Sequence, residues 1–192
     1  MMKTTAIASI ASDVATLLGE SLLPECSPAE SPFPDIEDRV RILAPGVLES
    51  LILSSGREEL REAAVALPGE VRIDSEGEAT IACPDDFLRL FYIKMSDWHQ
   101  PVTELTHLSD SLFLRQKSAW NGIRGNPERP VAVMDVSSVG KPVLKLYSSG
   151  SGARLETALY ISRPAIKEGA LSIPDPLYYP LVMKLSEIIR AT

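Results

Sequence analysis

Apolar positions recur with helical period at the start of the chain, with period two through its middle, and with helical period again at its end. Ile7, Ile10, Val14, Leu17 and Leu18 share one face of a helix over residues 1–18. Gly19 suits the position just past that helix, where a left-handed backbone is needed. A Pro-rich connection (Pro24, Pro28, Pro32, Pro34) then leads to Asp35, a good N-cap. Ile36, Val40, Leu43, Val47 and Leu51 repeat at helical spacing behind it. Pro45-Gly46 predicts a kink or a split there, because proline deletes a backbone hydrogen bond and crowds the preceding turn. The charged stretch Gly56 to Glu62 predicts a further helical turn.

Period two begins near Ala63. Val71 and Ile73 alternate with Arg72 and Asp74, and Ala79, Ile81 and Cys83 alternate with Thr80 and Ala82 across a polar turn at Ser75-Glu76-Gly77. Phe87 to Met95 is the strongest strand; it is apolar on both faces, which predicts a central, covered strand. Val102 to Leu105 predicts a short partner strand. Ser109 to Ala119 predicts a short helix with Ser109 as N-cap and Leu112 and Phe113 inward. Val131 to Val136, Val143 to Tyr147 and Leu155 to Ile161 predict a three-stranded meander, since both linkers have hairpin-loop composition. The last helix is expected from about Leu177 to Arg190, with Leu177, Leu181, Leu185 and Ile188 on one face. Asp175-Pro176 opens it, and Pro180 is expected to delay it by a turn.

Helices, then strands, then a helix make an α+β fold: N-terminal helices, a central antiparallel β-sheet with hairpins, and a C-terminal helix packed on the sheet or helices. The expected organisation is one domain over 1–192, with a helical part at 1–62, a β part at 63–163 and the helix at 174–190. Alternating βαβ units and internal repeats are absent.

Composition agrees with a globular chain. Of 192 residues, 45% are hydrophobic and 23% charged, enough to bury a core without disulfides or metal. Cys26 and Cys83 form no C-x-x-C. A bridge between them and two reduced thiols both stay open, the second being expected in a cytosolic protein. Asp13 interrupts the N-terminal apolar run and no A-x-A site follows, so a packing helix is expected there rather than a signal peptide. No apolar run is long enough to span a membrane. Residues 1–86 carry 17 acids and 6 bases (net −11), and residues 87–192 carry 9 acids and 13 bases (net +4). This is not the profile of a dedicated nucleic-acid binder. It suits either two solvated surfaces of different sign or head-to-tail association of copies.

Catalytic and cofactor chemistry finds no foothold. Gly140-Lys141 lacks the remainder of a phosphate-binding loop, and Gly150-Ser151-Gly152 lacks nucleophile-elbow spacing. Asp97, His99, Glu104 and His107 lack the close spacing of a zinc site. Asp85-Asp86 precedes a strand, where neighbours point to opposite faces, so turn and cap duties are expected of the pair. No cofactor and no metal are expected. What remains is a basic cluster, Arg115, Lys117, Arg124 and Arg129, interleaved with Trp120 in a loop-like stretch. Such a loop can touch nucleic-acid backbone, grip acidic patches of a neighbouring protein, or pair with the chain's own acids.

Several segments carry a resemblance. They are Pro84-Asp85-Asp86-Phe87-Leu88-Arg89-Leu90, Arg124-Gly125-Asn126-Pro127 with Arg129-Pro130-Val131, Leu144-Lys145-Leu146-Tyr147, and Ile173-Pro174-Asp175-Pro176-Leu177-Tyr178. In this order the chain resembles the head-tail adaptor (neck, or connector) proteins of tailed bacteriophages over roughly residues 79–190. It departs from the family's pattern at Tyr147-Ser148, where proline is frequent, and in the Pro-rich loop at 24–34.

The resemblance implies a non-enzymatic structural protein of a phage or prophage. Such a protein forms an oligomeric ring that joins the portal to the neck or tail, with DNA passing through the lumen. It implies cytoplasmic assembly, a place in the virion, at most non-specific DNA contact, and no membrane. The loop carrying Arg115, Lys117, Trp120, Arg124 and Arg129 would face a neighbouring subunit or the DNA channel. Two other readings of the same residues are a small protein-binding accessory module unrelated to virions and a hydrolase with an unrecognised site.

Overall fold

The computed structural model describes residues 2–19, 36–74, 78–116, 118, 126–150 and 152–191. In chain order its elements begin with strand β1 (Met2–Ala6) and helices α1 (Ile7–Leu18), α2 (Ile36–Ser54) and α3 (Arg57–Leu60). A 3-10 turn (Arg61–Ala63) leads into β2 (Ala64–Ala66), β3 (Arg72–Ile73), β4 (Ala79–Ala82) and β5 (Phe87–Met95). Helix α4 (Ser111–Gln116), β6 (Val131–Val136), β7 (Pro142–Tyr147) and β8 (Leu155–Ser162) follow. The chain closes with β9 (Ala170–Pro174) and α5 (Asp175–Ala191). The fold is α+β, and every strand pair among the described residues is antiparallel. The chain forms two compact units: residues 1–63 with 163–192, and residues 64–162.

The first unit is built from the two ends of the chain. β1 pairs with β9 from Met2↔Pro174 to Ala6↔Ala170, and the Ile7 amide donates to the Gly169 carbonyl at 3.0 Å. A helix starting at residue 1 is thereby corrected. The apolar helical stripe begins only at Ile7, and β-branched Thr4 and Thr5 before it favour a strand. Ile173-Pro174 ends β9, and α5 follows at the next residue, Asp175.

In α1 the residues Ile7, Ile10, Ala11, Val14 and Ala15 are buried, while Leu17 is 39% exposed, so the buried face stops a turn early. Gly19 closes the helix at φ 75°, as expected. Of the expected kink or split at Pro45, the split does not occur: α2 is one helix through Pro45. Its buried line is Val40, Ala44, Val47, Leu48 and Ile52. Packing of that line against α1 and α5 outweighs the one hydrogen bond that proline removes. Helix α5 likewise starts at Asp175 with no delay at Pro180, and buries Leu177, Leu181, Val182, Leu185 and Ile189. It packs on α1, α2 and β9. Asp35 and the Pro-rich connection lie outside the described residues.

The second unit holds a three-stranded sheet, β2-β8-β5, and a four-stranded sheet, β3-β4-β7-β6. One core draws on both: Leu90, Ile93, Met95, Ala158 and Tyr160 from the first, and Ala79, Ile81, Ala132, Leu144 and Leu146 from the second, together with Trp98. The hairpins β3–β4 and β6–β7 match expectation. The three-stranded meander does not form. β8 leaves β7 and sits between β2 and β5, so it, not β5, is central.

Bulges explain why β5 reads as apolar on both faces. Leu90 pairs with Tyr160 and Tyr92 with Leu159, so Phe91 is an extra residue that switches the side-chain parity. Leu90, Ile93 and Met95 therefore all reach one core. The expected partner strand at Val102 to Leu105 reduces to one bridge, in which Ile93 and Val102 exchange backbone hydrogen bonds of 2.9 and 2.8 Å.

The charge asymmetry between the two halves of the sequence does not survive folding. Residues 1–63 with 163–192 carry 14 acids and 9 bases (net −5), and residues 64–162 carry 12 acids and 10 bases (net −2). The acidic stretch at 70–86 belongs with the basic loop, and the basic C-terminal segment belongs with the acidic helices. Neither unit is net positive.

Candidate interaction surface

The basic stretch is anchored at both ends on β6. At one end the chain runs beside that strand, where the Thr106 amide donates to the Ala132 carbonyl at 2.8 Å. It then turns into α4. The cap is Asp110 rather than the expected Ser109: Asp110 Oδ1 accepts from the Leu112 amide at 2.8 Å. The Ser109 hydroxyl instead shares a 2.8 Å hydrogen bond with His107 Nδ1.

Phe113 is buried on Val131 and Val133 and meets Tyr147 edge-on, with ring centroids 6.1 Å apart. Leu112, expected inward, is 48% exposed, and Leu114 is 59% exposed. Arg115 stands exposed in the last turn.

At the other end Asn126 forms an Asx turn. Its Oδ1 accepts from the amides of Glu128 at 3.1 Å and Arg129 at 3.0 Å. A second segment pins this turn from outside: the His99 amide donates to the Pro127 carbonyl and Gln100 Nε2 to the Glu128 carbonyl, both at 2.9 Å. Exposed Arg129 thus stands two residues before Val131, and Arg115 two residues after Phe113. Phe113 therefore packs α4 against the start of β6, with Arg115, Leu112 and Leu114 exposed on the helix and Arg129 exposed on the turn before the strand. Lys117, Trp120 and Arg124 lie outside the described residues.

The same face of the β6–β7 hairpin carries an ion cluster that no motif announced. Lys145 Nζ lies 3.1 Å from Glu78 Oε1 and 3.0 Å from Asp135 Oδ2. Its hydrogen bond to Asp135 above all, with that to Glu78, pushes its pKa up. Burial, and then Glu78, push the neighbouring Tyr147 phenol up to about 12. Two acids on one lysine are satisfied within the chain, which makes this a brace for the sheet.

The residues weighed for chemistry have structural duties. Asp85 and Asp86 form the turn before β5, and Asp86 Oδ1 accepts from the Tyr160 hydroxyl at 3.0 Å. Asp97 Oδ2 accepts from the Gly150 amide at 2.7 Å. Among the described residues no group of three His, Cys, Asp or Glu side chains is placed to hold a metal. Cys83 is a free, buried thiol whose pKa burial raises to about 11, so it carries no thiolate near neutrality. Cys26 lies outside the described residues. No described helix is long and apolar enough to cross a membrane.

One other locus stands out. Where the turn after β5 meets the turn after β7, Asp97 Oδ1, Trp98 Nε1, Ser148 Oγ and Ser149 Oγ are buried with no hydrogen-bond partner among the described residues. Each such orphan costs about 1–3 kcal/mol.

Compared with known proteins, the chain matches no family model and no curated protein.

Proposed function

We propose that this chain is a non-enzymatic assembly protein of the head-tail adaptor kind, joining a portal to the neck or tail of a phage or prophage particle as part of an oligomeric ring. The observation that carries the reading is the surface around α4. Two exposed leucines and two exposed arginines sit on a short helix and a turn, both fastened to β6. Apolar side chains with arginine on a firmly held surface suit contact with another protein, where an apolar centre and charge-assisted hydrogen bonds at its edge give affinity and orientation. The partners are portal and neck or tail proteins and further copies of this chain. DNA is touched at most through phosphates, without sequence preference. Assembly takes place in the cytoplasm and the finished protein resides in the particle.

The segments that carry the resemblance also support it. Among the described residues, 84–90 span the turn into β5, 126–131 lead into β6, 144–147 lie within β7 and 173–178 span the β9–α5 junction. The test is the double variant Arg115→Glu, Arg129→Glu. Both side chains are exposed, so the variant is expected to melt like the parent while particle assembly or DNA retention in a producing strain falls. Normal particles that retain their DNA would remove this role from the surface.

A further inference from the structure

We propose that the turn Ser148–Ser149–Gly150 is a latch that opens as a local unit while the strands on either side stay paired. Three observations meet there. The latch's direct tie to the facing turn is the hydrogen bond from the Gly150 amide to Asp97 Oδ2, at 2.7 Å. Ser148 stands at φ 77°, a left-handed conformation that an L-residue with a side chain adopts at a cost. Four buried polar atoms, Asp97 Oδ1, Trp98 Nε1, Ser148 Oγ and Ser149 Oγ, lack partners while the turn is closed.

Opening hydrates all four atoms together and releases the serine backbone. The closed state is held by the charge-assisted hydrogen bond from Gly150 to Asp97. These opposing contributions make the turn bistable, as a switching element must be. The flanks are tied separately: Ser96 and Arg154 exchange hydrogen bonds of 2.8 and 3.0 Å, and β7 is paired on both edges. Opening therefore stops at the turn. It frees Asp97 at the end of β5 and leaves both sheets intact.

Amide hydrogen exchange on the full chain tests this, read at Gly150 against Leu144 and Leu146 inside β7. The Gly150 amide is expected to exchange at least about tenfold faster than those two. Ser149→Ala removes a buried hydroxyl with no partner, so it should favour the closed turn and slow Gly150 exchange. Asp97→Asn weakens the tie and should accelerate it. Protection at Gly150 equal to that of β7, or faster exchange in Ser149→Ala, would overturn the proposal.

Discussion

Tyr178 donates its hydroxyl hydrogen to Asp13 Oδ2, fastening α5 to α1 across 165 positions of sequence. Lys3 Nζ lies over the same ring, 4.5 Å from its centroid, so β1 joins the contact. Tyr178→Phe removes the hydrogen bond but keeps the ring. It should cost about 1 kcal/mol in denaturant unfolding.

The same phenol gives a pH signature. Burial first, then Asp13, raise its pKa from 10.0 to about 12. Between these values the unfolded chain has lost a proton that the folded chain keeps. Stability from this group is therefore complete below pH 10 and falls as pH rises through the window. Tyr147, also raised to about 12, acts in the same direction. Unfolding midpoints measured from about pH 9 to about pH 11 should fall in the parent and fall less steeply in Tyr178→Phe.

Asp110, not Ser109, caps α4. Asp110→Ala should cost about 1 kcal/mol and speed amide exchange in residues 112–116, whereas Ser109→Ala should leave that exchange nearly unchanged. Equal effects of the two variants would restore the cap that spacing alone suggests.

Lys145 separates two acids. Lys145→Met leaves Glu78 and Asp135 facing each other without their cation and should cost about 1–2 kcal/mol, since all three groups are partly exposed and screened. Adding Asp135→Asn to that variant should recover part of the loss. A double-mutant cycle on thermal or urea unfolding measures the coupling.

In β5 the bulge at Phe91 sets which residues face the core. Ile93→Ala should cost about 2–4 kcal/mol, and Phe91→Ala should cost less although it removes more atoms. The ordering of the two losses in urea unfolding checks the register directly.

These contacts also show what local pattern conveys. The stripes of α1 and α5, the strand at Phe87 to Met95 and the two hairpins were legible, because each rests on periodicity within one segment; α2 was legible as a helix, but its buried line takes Ala44, Leu48 and Ile52 in place of Ile36, Leu43 and Leu51. Three features were not. The pairing of β1 with β9 joins the chain's two ends, and nothing within Met2–Ala6 names a partner so distant. The move of β8 to the other sheet is decided by how its buried face fits Leu90 and Ile93, not by its linker. The two prolines sit inside helices because tertiary packing outweighs a single lost hydrogen bond. At the candidate surface, Arg115 and Arg129 were visible as charges. The packing of Phe113 on Val131, which holds the elements that carry them, needed the fold.

The central claim, a place in an assembled particle, is tested most directly by mass spectrometry of purified phage particles from a producing strain. The account predicts abundant peptides of this chain that co-purify with portal and tail proteins through a density gradient. Particles that are complete, contain their DNA and lack these peptides would contradict it.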